Sequence, residues 1–206
     1  MKRWICLTLA LLLNGLPTAF AQAADDRDPL SIVQETMTHT QSVLEKRREE
    51  FEVDPSGLRE VVRNDLLPLL DMTYSARLIL GKSGRGISQP ELDTFVDAMS
   101  TVLVNRYADG LLQFQSRNQV EVLPMKGKNT DKLTRVRTRL KLENGGYAPV
   151  DFAFRKTENG WKAFDVTVEG ISYVITFRNQ IAPRVLSDGI AKVTEDLLAG
   201  AIEINE

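Results

Sequence analysis

Near Gln119 the spacing of apolar residues in this 206-residue chain changes from about 3.6 to 2, and that single switch limits what it can fold into. Before the switch, apolar stripes fall at helical intervals. Asp28-Pro29 reads as a cap with proline in the first helical turn, and Leu30, Val33, Met37 and Leu44 then share a face. The charged run Glu45 to Glu50 reads as the solvated end of that helix. Asp54-Pro55 repeats the start signal ahead of Leu58, Val61, Val62 and Leu66, and Pro68 forces a break. A further helix is expected from Asp71 to Leu80. Ser88 with Glu91 three residues on is a capping box, and it opens the longest stripe: Leu92, Phe95, Val96, Met99, Leu103, Tyr107, Leu111 and Phe114.

After the switch the pattern is that of strands. Val120 to Pro124 is a short one. From Leu133 to Leu142, Val136, Thr138, Leu140 and Leu142 alternate with Arg135, Arg137, Arg139 and Lys141. Glu143-Asn144-Gly145-Gly146 is a hairpin signal, after which Val150, Phe152 and Phe154 oppose Asp151 and Arg155. A second turn at Glu158-Asn159-Gly160 leads to Phe164, Val166 and Val168 on one face. This is an antiparallel meander with one wet side. Tyr173, Val174, Phe177 and Ile181, then Ile190, Val193, Leu197 and Leu198, make two closing helices. The fold class is α+β, with a helical part at about 28–118 and the sheet and closing helices at about 119–203.

The first 23 residues read as a cleaved secretory signal. Lys2 and Arg3 precede an apolar run from Trp4 to Leu13, then a break at Asn14, Gly15 and Pro17, then small residues around Ala21 and Ala23. The run falls well short of the roughly twenty residues that span a bilayer. Residues 24–206 are then the expected mature domain, exported from the cytoplasm. Cys6 leaves with the leader, so disulfides are not expected. The mature chain carries 24 basic against 28 acidic residues, a net charge of −4, which argues against a nucleic-acid partner.

Chemistry is sparse. Gly81-Lys82-Ser83 looks like the end of a phosphate loop, but the pattern G-x-x-x-x-G-K-S/T needs a glycine where Ala76 stands. Gly81 reads instead as a helix stop. The one histidine, His39, has no sequence-visible partner, and no cluster has metal-ligand spacing. Asp165 and Glu169 lie opposite the Phe164/Val166/Val168 face and could do acid–base work in a cavity. The row Arg135, Arg137, Arg139 could meet a headgroup or an acidic partner, or be a solvated strand face. The bulky faces of helix and sheet fit a filled core or a pocket wall equally well, since both are apolar.

From about Leu66 to Ile190 the chain resembles the MlaC family of periplasmic phospholipid-binding proteins, auxiliary components of an ABC transporter linked to toluene tolerance. The resemblance is carried by "LLPLLDMTYSARLILGK", "FVDAMSTVLVNRYADGLLQF", "VEVLPMKGK" and "GIAKVTEDLL". Its most specific stretch is "GWKAFDVTVEGISYV" with the following Phe177-Arg178-Asn179-Gln180. Two departures fall at the edges. The loop after Gly81 reads "KSGRG" without the family's usual aromatic, and Ile181 stands where phenylalanine is usual.

The resemblance implies an NTF2-like curved sheet with a helical subdomain, enclosing an apolar cavity for acyl chains. It implies no enzyme activity and no cofactor, with phospholipid as cargo. The implied partners are an outer-membrane lipoprotein–porin complex and an inner-membrane MCE protein of an ABC transporter. Motif and apolar phase together give the expected lipid-binding wall. The helices supply Tyr74, Leu78, Phe95, Met99, Leu103 and Tyr107; the sheet supplies Val136, Leu140, Phe152, Phe154, Phe164, Val166 and Val168; the closing helix adds Tyr173 and Phe177. Two other readings stay open: an exported NTF2-like enzyme acting on a hydrophobic small molecule through Asp165 or Glu169, and a ligand-free adaptor whose sheet face or basic row docks to membrane complexes.

Overall fold

The computed structural model describes residues 27–108, 111, 120–125, 129–142 and 144–202. The leader and Phe114, at the end of the expected long helix, lie outside these residues. Asp28 does cap the first helix, α1 (Pro29–Lys46): its carboxylate accepts from the backbone N–H groups of Leu30 and Ser31 at 2.9 and 3.1 Å. Ile32, Val33, Thr40 and Leu44 are the buried face of α1, while Leu30 and Met37 are half-buried.

The charged run that reads as a solvated end holds a core residue just beyond it. The chain re-enters helix at α2 (Arg48–Val53), which turns Phe51 fully inward, with the Arg47 guanidinium 4.6 Å over its ring. Gly57 in α3 (Ser56–Val61) makes this possible, because a Cβ there would lie 2.8 Å from the Phe51 ring. Pro68 breaks the helical path as expected. The chain passes through a wide π-type turn at Val62–Leu66 and a tight 3₁₀ turn at Leu67–Leu69 before it extends at Leu70.

Asp71 then caps α4 (Met72–Leu80), accepting from the Tyr74 N–H at 2.9 Å. Gly81 ends that helix at φ +53, a conformation that disfavours any side chain, and the Arg178 Nε donates to the Leu78 carbonyl at 2.6 Å. The Ser88–Glu91 capping box forms and starts α5 (Gln89–Tyr107).

The strands are β1 (Val120–Val122), β2 (Leu133–Lys141), β3 (Tyr147–Thr157), β4 (Gly160–Val168) and β5 (Ile171–Ser172), in sequence order and antiparallel throughout. Two helices follow, α6 (Tyr173–Asp188) and α7 (Ile190–Leu198). The register pairs Val136 with Phe152 and Phe152 with Val166, so these side chains share the inner face with Thr138, Val150 and Val168.

The register shifts at Ala153/Phe154. Ala153 pairs with Asp165 and Phe154 with Ala163, which leaves Phe164 as the extra residue of a bulge on β4. Here the irregular segment docks. Leu70 bridges to Ala163, the Asp71 N–H donates to the Ala163 carbonyl at 2.7 Å, and the Ser75 hydroxyl donates to the Phe164 carbonyl at 2.7 Å.

The apolar interior has two sides, bridged by a third cluster in which Leu44 of α1 packs with Phe51, Leu58 and the α5 residue Val104. Helices α4, α5, α6 and α7 pack together around Phe95, Met99, Phe177, Ile181 and Val193. On the other side α1 lies across β1 and β2, with Ile32 and Val33 against Val136, Phe154 and Ala163.

Candidate functional site

The helices and the sheet do not meet everywhere. Two apolar cavities remain between them, of about 280 and 330 Å³, near the lower end of the ~300–1,000 Å³ typical of small-molecule sites. The first lies under α1. Ile32, Val33, Met37 and Leu44 form its roof, and Leu140, Val150, Phe152 and Phe154 its floor. The second lies under α4, α5 and α6, where Met99, Leu103, Tyr107, Tyr173 and Phe177 face Phe164, Val166 and Val168. Leu66 and Leu70 line both. The segment that Pro68 disrupts is thus the partition between them, pinned by its bridge to the bulge.

Most of the expected wall residues line one cavity or the other. Leu140, Phe152 and Phe154 line the first; Met99, Leu103, Tyr107, Phe164, Val166, Val168, Tyr173 and Phe177 line the second. Four do not, and each has a packing reason. Phe95 is fully buried inside the helical core, and Leu78 packs against that same core. Val136 is fully buried beneath Ile32 and Val33. Tyr74 sits edge-on to Phe164, ring centroids 5.2 Å apart, with the Arg155 guanidinium stacked 4.4 Å over it.

Sequence reading missed Leu66 and Leu70, because Pro68 made their stretch look like a helix end. It also missed the α1 residues Thr36, Thr40 and Gln41, and the strand residue Thr138. Thr138 is wholly buried, and its hydroxyl donates to the Val150 carbonyl at 2.7 Å. The inward phase of Val136 and Leu140 was the available signal for Thr138.

The candidate acid–base pair is not assembled. Asp165 borders the second cavity, but both of its oxygens are engaged: one accepts from the Ser172 hydroxyl at 2.6 Å and the other from the Val174 N–H at 3.0 Å. It anchors the start of α6. Glu169 is exposed at φ +50 in the turn between β4 and β5. His39 is also exposed, its Nε2 3.3 Å from the Asp65 carboxylate.

The basic row is largely matched within the sheet. Arg139 pairs with Glu121 at 2.6 Å and stacks 4.2 Å over Tyr147; Arg135 lies 3.6 Å from Asp151; Arg137 donates to the Pro124 carbonyl at 3.1 Å.

The family model described as MlaC protein matches residues 34–199, which include the lining of the second cavity and that of the first apart from Ile32 and Val33. This chain belongs to the MlaC family. It is 24% identical over 176 residues to a Haemophilus influenzae protein named intermembrane phospholipid transport system binding protein MlaC, covering 84% of this chain and 80% of that one. It is likewise 24% identical over 182 residues to the toluene tolerance protein ttg2D of Pseudomonas putida, covering 88% and 82%. The fold matches a phospholipid-binding protein from Ralstonia solanacearum, solved in complex with a phospholipid. That match has a TM-score of 0.74 at 19% identity and covers 83% of this chain and 95% of the other. MlaC members thus carry names of binding and transport. The α+β arrangement here, an antiparallel sheet under helices, is the arrangement of that solved relative.

Proposed function

We propose that this MlaC-family chain is a periplasmic phospholipid carrier that moves glycerophospholipid between the outer and inner membranes without chemical change. The observation that carries this reading is the pair of apolar cavities on one sheet face, with Leu66 and Leu70 in the lining of both. A diacyl lipid has two tails joined at one end, and two adjacent hydrocarbon-lined spaces with a common partition suit that shape. The names of the relatives support the same class of ligand.

The energetics favour a protein carrier. At about 0.8 kcal/mol per buried CH₂, exposing one sixteen-carbon chain to water costs roughly 12 kcal/mol, so unaided transfer of a two-tailed lipid is negligible. The walls are predominantly hydrocarbon, with Thr36, Thr40, Gln41 and Thr138 among the few polar residues of the first. The carboxylate nearest the cavities, Asp165, is committed to holding α6. Loading and release would occur at an outer-membrane lipoprotein–porin complex and at an inner-membrane MCE protein of an ABC transporter. The leader at residues 1–23 would deliver the chain to the compartment between them.

Native mass spectrometry of protein purified without detergent, followed by lipid extraction, tests the reading. A mass excess equal to phospholipid, lost on delipidation and restored by vesicles, is the expected result. Protein that stays at its bare mass after incubation with phospholipid vesicles would overturn it.

A further inference from the structure

The Leu67–Leu70 segment has an outer side as well as an inner one. Outside it lies an open cleft of about 1,240 Å³, bordered by Arg63, Lys132, Arg155, Lys156 and Lys162, with Asp71 and Glu158 as its carboxylates. Its apolar base includes Leu67, Leu70 and Met72. Leu70 also lines both cavities, and Leu67 and Met72 line the second. Cleft and cavities are therefore the two sides of one thin strap.

The charge in the cleft is not neutralised. Asp71 is taken by Arg155. Among the described residues, Arg63, Lys132, Lys156 and Lys162 have no ion-pair partner; the Lys162 ammonium donates to the Pro68 carbonyl at 2.7 Å, and the Lys156 ammonium lies 5.7 Å over the Trp161 ring. The sheet also brings like charges together. Arg155 stands directly opposite Lys162, and the Lys156 N–H donates to the Lys132 carbonyl at 2.8 Å. Like charges directly opposite destabilise a sheet. Composition does not impose this, since acidic residues outnumber basic ones 28 to 26 in the whole chain. Nor is it a habit of this sheet, since Arg139 is matched by Glu121 and Arg135 by Asp151.

We propose that this cleft recognises a phosphate-bearing anion, the phosphodiester of a lipid headgroup, and that Lys132, Lys156 and Arg63 are its principal contacts. This rests on the carrier reading for the source of the phosphate. A cluster of lysine point charges around one recess suits a compact anion, and a doubly oxygenated phosphodiester accepts from several of them at once. The assignment moves headgroup recognition off the Arg135/Arg137/Arg139 row, where Arg139 and Arg135 already have the carboxylates of Glu121 and Asp151, and onto the far side of the strap that divides the tails.

The test uses glycerophosphoglycerol, a headgroup piece without tails, and inorganic phosphate, each titrated into the purified protein by calorimetry. Glycerophosphoglycerol binding should weaken on the order of tenfold or more in Lys132→Glu/Lys156→Glu, as loss of charge-assisted hydrogen bonds predicts. It should persist in Lys132→Arg/Lys156→Arg, strengthen in Glu158→Gln, and fall as salt rises from about 0.1 to about 1 M. All these positions are exposed, and circular dichroism checks that the fold survives. The charge-reversed protein should also take up less phosphatidylglycerol from vesicles, read by native mass spectrometry. Inorganic phosphate binding as tightly as glycerophosphoglycerol would make this a free-phosphate site and overturn the headgroup assignment. Unchanged phosphatidylglycerol uptake by the charge-reversed protein, with no glycerophosphoglycerol binding, would overturn the cleft and leave the carrier reading standing. Failure of the unaltered protein to take up any lipid would overturn the carrier reading, and the headgroup assignment with it.

Discussion

The two cavities share a floor and a partition but are roofed in different ways. The second is closed by α4, α5 and α6, whose other faces are welded to α7 by a continuous core including Phe95, Ile181 and Val193. The first is closed chiefly by α1, one helix laid across β1 and β2, held in its first half by a small cluster around Ile32 and Val33 and at its far end by Leu44, which packs with Phe51, Leu58 and Val104. Cavity walls and cores are built from the same residue types, so what separates a fixed wall from a yielding one is what packs behind it. By that measure the second cavity is a rigid slot and the first is the side whose roof opens at lower free energy.

The strongest way to break this comparison is to cut into each roof. Phe95→Ala should lower the unfolding free energy by about 3–5 kcal/mol in denaturant titration, because it opens a void inside a closed helical core. Ile32→Ala should fall nearer 2 kcal/mol, since α1 can settle toward the existing cavity. Equal losses would mean that α1 is as firmly packed as the four-helix layer.

Much of this arrangement was legible in the sequence. The period switch gave the order of elements, and the Asp28 cap and the Ser88–Glu91 box gave helix starts that form as read. The cavities themselves were not legible, for a physical reason. Val136 and Leu140 lie on the same strand in the same phase, yet one is sealed under Ile32 and the other lines a void. Alternation tells which face a side chain takes and nothing of how far away the opposing layer stands. The partition was hidden more deeply, because Leu66 and Leu70 gain their role only when Ala163, beside the bulge at Phe164 and some ninety residues on, supplies the carbonyl that anchors their segment. Phe51 was hidden by its charged neighbours and is inward only because Gly57 leaves room.

A second pair of substitutions sharpens the comparison at the level of binding. Leu140→Trp should fill part of the first cavity and Leu103→Trp part of the second, each shifting stability by no more than about 1–2 kcal/mol because the ring enters existing space. In native mass spectrometry after vesicle loading, both should lower lipid occupancy. The rigid second slot should be the less forgiving, since α1 can be pushed outward to accommodate a ring. A loss confined to Leu140→Trp would mean that the second cavity holds no acyl chain.

Asp165→Ala probes the roof of the second cavity from its edge. The Ser172 hydroxyl and the Val174 N–H lose their shared acceptor, and stability should fall by about 1–3 kcal/mol. Lipid occupancy in the surviving folded protein should be unchanged, because Asp165 holds α6 and does no chemistry. Turnover of any hydrophobic substrate that disappears in Asp165→Asn would instead restore the enzyme reading.

The smallest effect should come from acid, and it should fall on the weaker roof. The Ser31 hydroxyl, donating to Asp28 at 2.7 Å, and then the Ser31 N–H hold that carboxyl below the usual aspartate range. A folded-state value below the unfolded value of about 3.9 means that the cap contributes fully above that pH and is lost as pH falls through the folded value. Asp28→Asn keeps an acceptor at the cap but has nothing to titrate, so it should flatten this part of the acid-stability profile. Asp28→Ala should cost about 1 kcal/mol at neutral pH. Hydrogen exchange locates the change: amides in the first turns of α1 should exchange faster in Asp28→Ala while those of α5 stay protected, because Ile32 and Val33 pack on the sheet residues Val136, Phe154 and Ala163 and it is Leu44, at the far end of α1, that packs with Val104 of α5. Equal acceleration in both helices would show that the two roofs open together, and the asymmetry between the cavities would then be one of shape alone.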